Sequence, residues 1–203
     1  KTILGDAAQN VNPYSSTTAD DIRKALYKAE IMKLNKSYRS GYEITELAKS
    51  ISGNSEIDVV ERHTEKPQLI EVSSREAESQ LMREMIMEVD VNNPTSTAYI
   101  FKLEKDAIAF FESLGELQKR ATLLVSGCQA FTNGIVVTTS HMAKGLEFDE
   151  VVIPNVTKAN YNDEMDKSLL YIACTRAMHR LKMIFCEEHT EFINNALCIS
   201  KKK

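Results

Sequence analysis

The chain has no tryptophan, only four prolines and seven glycines among 203 residues, and no apolar run near the ~18 residues that a membrane span needs. With 43% hydrophobic and 27% charged residues, that scarcity of Pro and Gly excludes low complexity and disorder over most of the length. A secretory signal pattern is also missing, so the expectation is a cytoplasmic protein without a membrane partner. Cys128, Cys174, Cys186 and Cys198 form no CxxC pair, and a chain able to bury roughly 70% of its unfolded surface needs no disulfide framework. Free thiols are expected. Cys186 and His189 have a ligand-like gap but no second pair beside them, so no metal site is expected. The net charge of -4 provides no bulk positive surface, which confines any nucleic-acid contact to a local groove. Lys201 to Lys203 reads as a solvated chain end. Finally, nothing matches GxxxxGK[ST], and no strand ends in the paired acids that hold Mg²⁺ in P-loop ATPases.

What is present is an alternation of short apolar runs with amphipathic segments, the pattern of βα units around a mostly parallel sheet. Strands are expected at Thr2 to Leu4, Ile31 to Leu34, Gln68 to Val72, Thr97 to Phe101, Ala121 to Val125, Ile135 to Thr139, Glu150 to Ile153 and Leu181 to Cys186. Helices are expected at Thr18 to Lys28, Tyr42 to Ser52, Ser74 to Val89, Glu104 to Leu114 and Asp166 to Met178. The Ser-Ser-Arg-Glu start of the third is a helix-opening signal, and Ala77, Leu81 and Met85 follow at helical spacing. Surface loops are expected around Gly53 and Asn92-Asn93-Pro94. Thr2-Ile3-Leu4 already reads as a buried strand and the first residue is Lys1 rather than Met, so the chain is expected to open inside a folded element.

Four blocks carry chemistry. Leu4-Gly5-Asp6-Ala7-Ala8-Gln9 puts a glycine, an acid and a glutamine directly after a strand, where ligands of doubly wound sheets sit. Tyr14 follows, and a packed ring in an Asn-Pro-Tyr turn is its competing reading. Leu34-Asn35-Lys36-Ser37-Tyr38-Arg39-Ser40 ends a strand with an aromatic ring and a guanidinium just before a helix. An Arg fork keeps its charge and donates in pairs to phosphate oxygens. Thr138-Thr139-Ser140-His141-Met142-Ala143-Lys144-Gly145-Leu146-Glu147-Phe148-Asp149 leaves a strand and presents a hydroxyl and an imidazole, which with free backbone N–H groups at the following helix start suit a nucleic-acid phosphate. Gly145 can take a backbone conformation closed to other residues and so turn Leu146-Glu147 back. Phe148 reads as core, Lys144 faces a phosphate or a neighbouring carboxylate, and His141 reads as a donor rather than a general base. Ser168-Leu169-Leu170-Tyr171-Ile172-Ala173-Cys174-Thr175-Arg176-Ala177-Met178 reads as a helix with Arg176 projecting from its far end, and His179 and Arg180 read as facing solvent.

In this order the blocks resemble the late motifs of UvrD/Rep-type superfamily 1 DNA helicases. The resemblance implies an α/β fold: a three-layer RecA-like, P-loop NTPase-like domain with a mostly parallel sheet and no Walker A loop of its own. Residues 1–28 are then the end of a first motor domain and 29–203 the second, UvrD-like C-terminal motor domain. It further implies that ATP with Mg²⁺ sits between the two domains of the intact parent, with no nucleotide bound tightly by this chain alone. Arg39 and Arg176 would reach the γ-phosphate as catalytic residues, with Gln9 coupling it to DNA. Tyr38 would hold adenine, Gly145 and Glu147 would approach the nucleotide with Glu147 on the ribose, and Tyr14, Thr139 and His141 would contact single-stranded DNA. The implied partners are an N-terminal motor domain of the same protein and a DNA strand. Only about 95 residues separate the Tyr38-Arg39 block from the Thr139 block, where UvrD and Rep insert a large accessory domain. That departure points to a compact branch resembling HelD, whose role would be ATP-driven remodelling of RNA polymerase instead of unwinding. The same motifs also fit a helicase-nuclease subunit or a non-catalytic nucleotide-binding or scaffold module.

Overall fold

A computed structural model of the chain describes residues 19–26, 32, 36–53, 58–89, 95–127, 134–193 and 198–201. The expected strand at Thr2 to Leu4, and with it Gln9 and Tyr14, lies outside them, as does the strand expected at Ile31 to Leu34 apart from an exposed Met32.

The elements follow in the order α1 (Ala19–Ala25), β1 (Lys36–Ser37), α2 (Tyr42–Ser52), β2 (Asp58–Val59), β3 (Gln68–Glu71), α3 (Arg75–Glu88), β4 (Thr97–Phe101) and α4 (Glu104–Ser113). After a 3₁₀ turn at Gly115–Arg120 come β5 (Ala121–Leu124), β6 (Ile135–Thr139), β7 (Phe148–Ile153), α5 (Glu164–Cys174), β8 (Ala177–Phe185) and β9 (Cys198–Lys201). Strands β3 to β9 form one sheet in the order β5-β6-β4-β7-β8-β3-β9 with every pairing parallel, and β1 and β2 form a separate parallel pair.

Alternate residues of the central strands feed two separate cores, because side chains of a strand point to opposite faces. Ala98 and Ile100 of β4, Val136 of β6 and Val151 and Ile153 of β7 pack with Ile44, Leu47 and Ile51 of α2 and Leu170 and Ile172 of α5. Tyr99, Phe101, Val137 and Val152 point the other way, onto Leu81, Met82 and Ile86 of α3 and Ala107 and Phe110 of α4. The result is a three-layer α/β/α domain around a parallel sheet. All five residues of β4 and all five of β6 are buried, as strands covered on both faces must be.

Local chemistry explains most boundaries. Ser74 accepts a hydrogen bond from the Ala77 N–H to open α3, and Asp163 does the same for the Asp166 N–H to open α5. Gly53, at φ 70°, closes α2 by donating to Lys49 O. One expectation fails here. The last helix spans Glu164–Cys174, not Asp166 to Met178, and β8 starts at Ala177 rather than Leu181. Ala, Met and Arg are good helix formers, so propensity favours continuation. Pairing with β7 overrides it: Ala177 lies opposite Phe148, and the Phe148 N–H donates to Arg176 O at 2.9 Å.

Candidate functional site

The chemistry-bearing residues gather at two opposite edges of the sheet. At the amino-terminal edge, where β7 and β8 begin, the loop after β1 is tied down at several points. Ser40 Oγ donates to Ala177 O at 2.6 Å, and the Gly41 N–H donates to Met178 O at 3.2 Å. From the segment after β2, Arg62 Nη2 donates to Arg39 O at 2.5 Å, and the Tyr42 N–H donates to Arg62 O at 2.8 Å. Gly41 is needed for this clasp: a Cβ there would lie 2.0 Å from Thr64 Oγ1. Glu43 braces the same strap, accepting from the Thr64 N–H and pairing with His63. The Thr64 N–H, with His63 behind it, lowers the Glu43 carboxyl to about 2.

Held this way, Arg39 meets Glu147, the residue before β7, with Nε to Oε1 at 2.5 Å. Arg176 arrives beside them from the turn after α5. It is only 1% exposed, and its guanidinium donates to Ile172 O at 3.1 Å, Leu146 O at 3.2 Å and Thr175 Oγ1 at 3.1 Å. The expectation that Arg176 projects from a helix end is therefore corrected: the helix stops at Cys174, and the side chain folds inward onto backbone carbonyls of the helix end and of the Leu146 turn, where terminal carbonyls need donors. Tyr38 next to this group is 69% exposed, a ring available to a planar ligand.

At the carboxyl-terminal edge, Thr139 closes β6 and His141 follows in the open. Thr139 is 4% exposed and its Oγ1 accepts from the Met142 N–H at 3.4 Å. A cleft of about 350 Å³ opens beside both, between the ends of β4, β5 and β6 and the start of α5. The segment from Ser140 to Gly145 is a run of turns, not the helix start expected there. Strand β4 lies between β6 and β7, and all three are parallel, so Ser140 to Glu147 must travel the whole height of the sheet. Gly145 makes that return possible at φ 91°, a left-handed value at which a side chain is strained.

The remaining candidates sort plainly. Phe148 is fully buried core. Arg180 does not simply face solvent: it pairs with Glu150 at 3.2 Å, while His179 stays half-exposed 3.8 Å from Asp149. Cys174 is buried, which pushes its thiol up to about 12. His189 packs edge-on against Phe185 at 5.4 Å and pairs through Nδ1 with Thr190 O, a structural use of the ring. Among the described residues no three His, Cys, Asp or Glu side chains group as a metal site, and no helix is long and apolar enough to cross a membrane. Sequence reasoning missed Arg62 and the Gly41–Thr64 contact, since both sit in a polar stretch with no periodic or motif signal.

Residues 134–184 match the family of UvrD-like helicase C-terminal domains, a segment running from the start of β6 into β8 and including Thr139, His141, Gly145, Glu147 and Arg176. That segment defines the class: a UvrD-like helicase C-terminal domain on a parallel three-layer α/β frame. The chain is similar to the C-terminal domain of a possible DNA helicase from Lactobacillus plantarum WCFS1, at 29% identity and a TM-score of 0.65, covering 82% of this chain and 99% of that one. Arterivirus nonstructural protein 10, a helicase solved with DNA, has 10% identity and a TM-score of 0.47 over 79% of this chain and 38% of its own, a likeness too slight to bear on function. No curated protein matches the chain.

Proposed function

We propose that this chain is the second motor domain of an ATP-driven DNA helicase or translocase. In this reading Arg39 and Arg176 reach the terminal phosphate of an ATP that a preceding motor domain holds, Tyr38 covers the adenine, and Gly145 lets Glu147 approach the ribose. Thr139 and His141 meet the backbone of a single DNA strand. Gln9 would couple the two events and Tyr14 would stack on a base; both lie outside the described residues. Mg²⁺ falls to the preceding domain in this reading.

The observation that carries the reading is the split itself. Arg39, Glu147 and Arg176 converge at the edge where β7 and β8 begin, Thr139 and His141 stand at the other edge, and one short connection joins the two. The donor set fits a polyphosphate: two guanidiniums, each already aligned on an oxygen, offer forks that keep their charge. What ATP supplies when bound is the phosphoryl group whose developing charge such arginines stabilise. The chain's own part is to bring those side chains up when the domains close, and to grip or release the strand in step.

The test uses the full-length protein that carries this domain. Arg176→Ala is expected to lower DNA-stimulated ATP turnover by roughly 10³-fold. His141→Ala is expected to remove much of the stimulation by DNA while leaving basal turnover. ATP turnover indifferent to Arg176, or stimulation indifferent to His141, overturns the assignment.

A further inference from the structure

The cleft at the carboxyl-terminal edge is not explained by a backbone contact. Its open walls are apolar: Leu103 and Met165 stand at the rim, 39% and 37% exposed, with Met142 and Leu169 deeper and His141 at the mouth. Few large hydrophobic side chains of the described residues are so exposed, and two of them line this one cleft. The charges inside it suit a neutral occupant. Lys102 is tied to Asp166 and donates to Asn160 O at 2.5 Å, while Glu104 accepts from Ser126 Oγ at 2.7 Å. With two carboxylates against one ammonium, the interior repels an anionic phosphate. At about 350 Å³ the space lies at the small end of ligand pockets.

We infer that this cleft receives one unstacked base of the strand. The sugar-phosphate passes His141 at the mouth, the ring slides between Met165, Leu103 and Met142, and polar atoms near the Lys102–Asp166 pair lie at the floor within reach of its edge. Bases have flat faces that any polarisable apolar wall can cover, so the contact is sequence-tolerant, as a strand-tracking protein requires. The inference rests on the nucleic-acid reading of Thr139 and His141 and adds the base as the recognised moiety.

The experiment is a titration of this chain, labelled at its methionine methyl groups, with a short oligo-dA and with an abasic oligomer of equal length, followed by NMR. The eight methionines include Met87 on α3, 52% exposed and remote in the fold, as an internal control. Stacked rings shift nearby methyl signals upfield, so Met142 and Met165 should move with oligo-dA, stay nearly still with the abasic oligomer, and leave Met87 unchanged. Met165→Ala should weaken oligo-dA binding by roughly threefold to tenfold without changing its salt dependence, which phosphate contacts set. If the His141 ring responds to both oligomers while the Met142 and Met165 methyls do not tell them apart, the base pocket is overturned and the strand reading stands. If neither oligomer perturbs His141 or the cleft, both fall.

Discussion

Arg39 and Glu147 lie 108 positions apart in sequence and meet in a 2.5 Å ion pair in front of β7. In the proposed working state both side chains have new partners, a phosphate oxygen for Arg39 and a ribose hydroxyl for Glu147. The pair is thus an exchangeable resting arrangement in which each group keeps the other oriented. The two side chains are 35% and 44% exposed, so their attraction is screened and adds less than about 1 kcal/mol to stability. Glu147→Gln should therefore leave the thermal unfolding midpoint of this chain almost unchanged, while raising the KM for ATP of the full-length protein. A large drop in the midpoint would show that the pair is structural instead.

Arg176 should behave in the opposite way. Its replacement by Ala removes the donors that Ile172 O and Leu146 O use in a buried site, a loss of about 1–3 kcal/mol. Chemical denaturation of this chain should show it. Arg176→Lys should recover only part, because one ammonium cannot span the three acceptors that a planar fork reaches.

Gly41→Ala should destabilise by about 1–3 kcal/mol, since the added methyl meets the body of the Thr64 side chain and not a flexible tip. A second change, Thr64→Gly, should restore much of the loss. Comparison of urea midpoints for the single and double variants checks the contact, and additive effects would refute it.

Acid should loosen the Thr64 strap first. The Glu43 carboxyl is lowered from 4.5 to about 2 in the folded chain, chiefly by the Thr64 N–H. A depressed carboxyl contributes stability that is fully present above its unfolded value and disappears as pH falls from 4.5 toward 2. Glu43→Gln should flatten that part of the pH profile of unfolding, measured against the parent chain.

The sheet and its two cores were legible because periodicity reports burial. β4, β6 and α2 begin and end where alternation and helical spacing place them. The end of α5 was not legible, because Cys174 to Met178 keeps a helix-compatible composition and only pairing with Phe148 makes Ala177 a strand residue. The division of the Thr139 to Glu147 segment into two sides was readable from Gly145. That Arg176 folds inward, or that Arg62 holds the backbone of Arg39, was not, since both depend on carbonyls brought near by distant parts of the chain.

The connection from Ser140 to Glu147 could extend at most about 30 Å, and it spends part of that length in turns while crossing a sheet roughly 20 Å tall. It has little slack. A tether this short cannot absorb displacement at one end, so movement of a strand past His141 tugs on Glu147, and any change at Glu147 is felt by the strand.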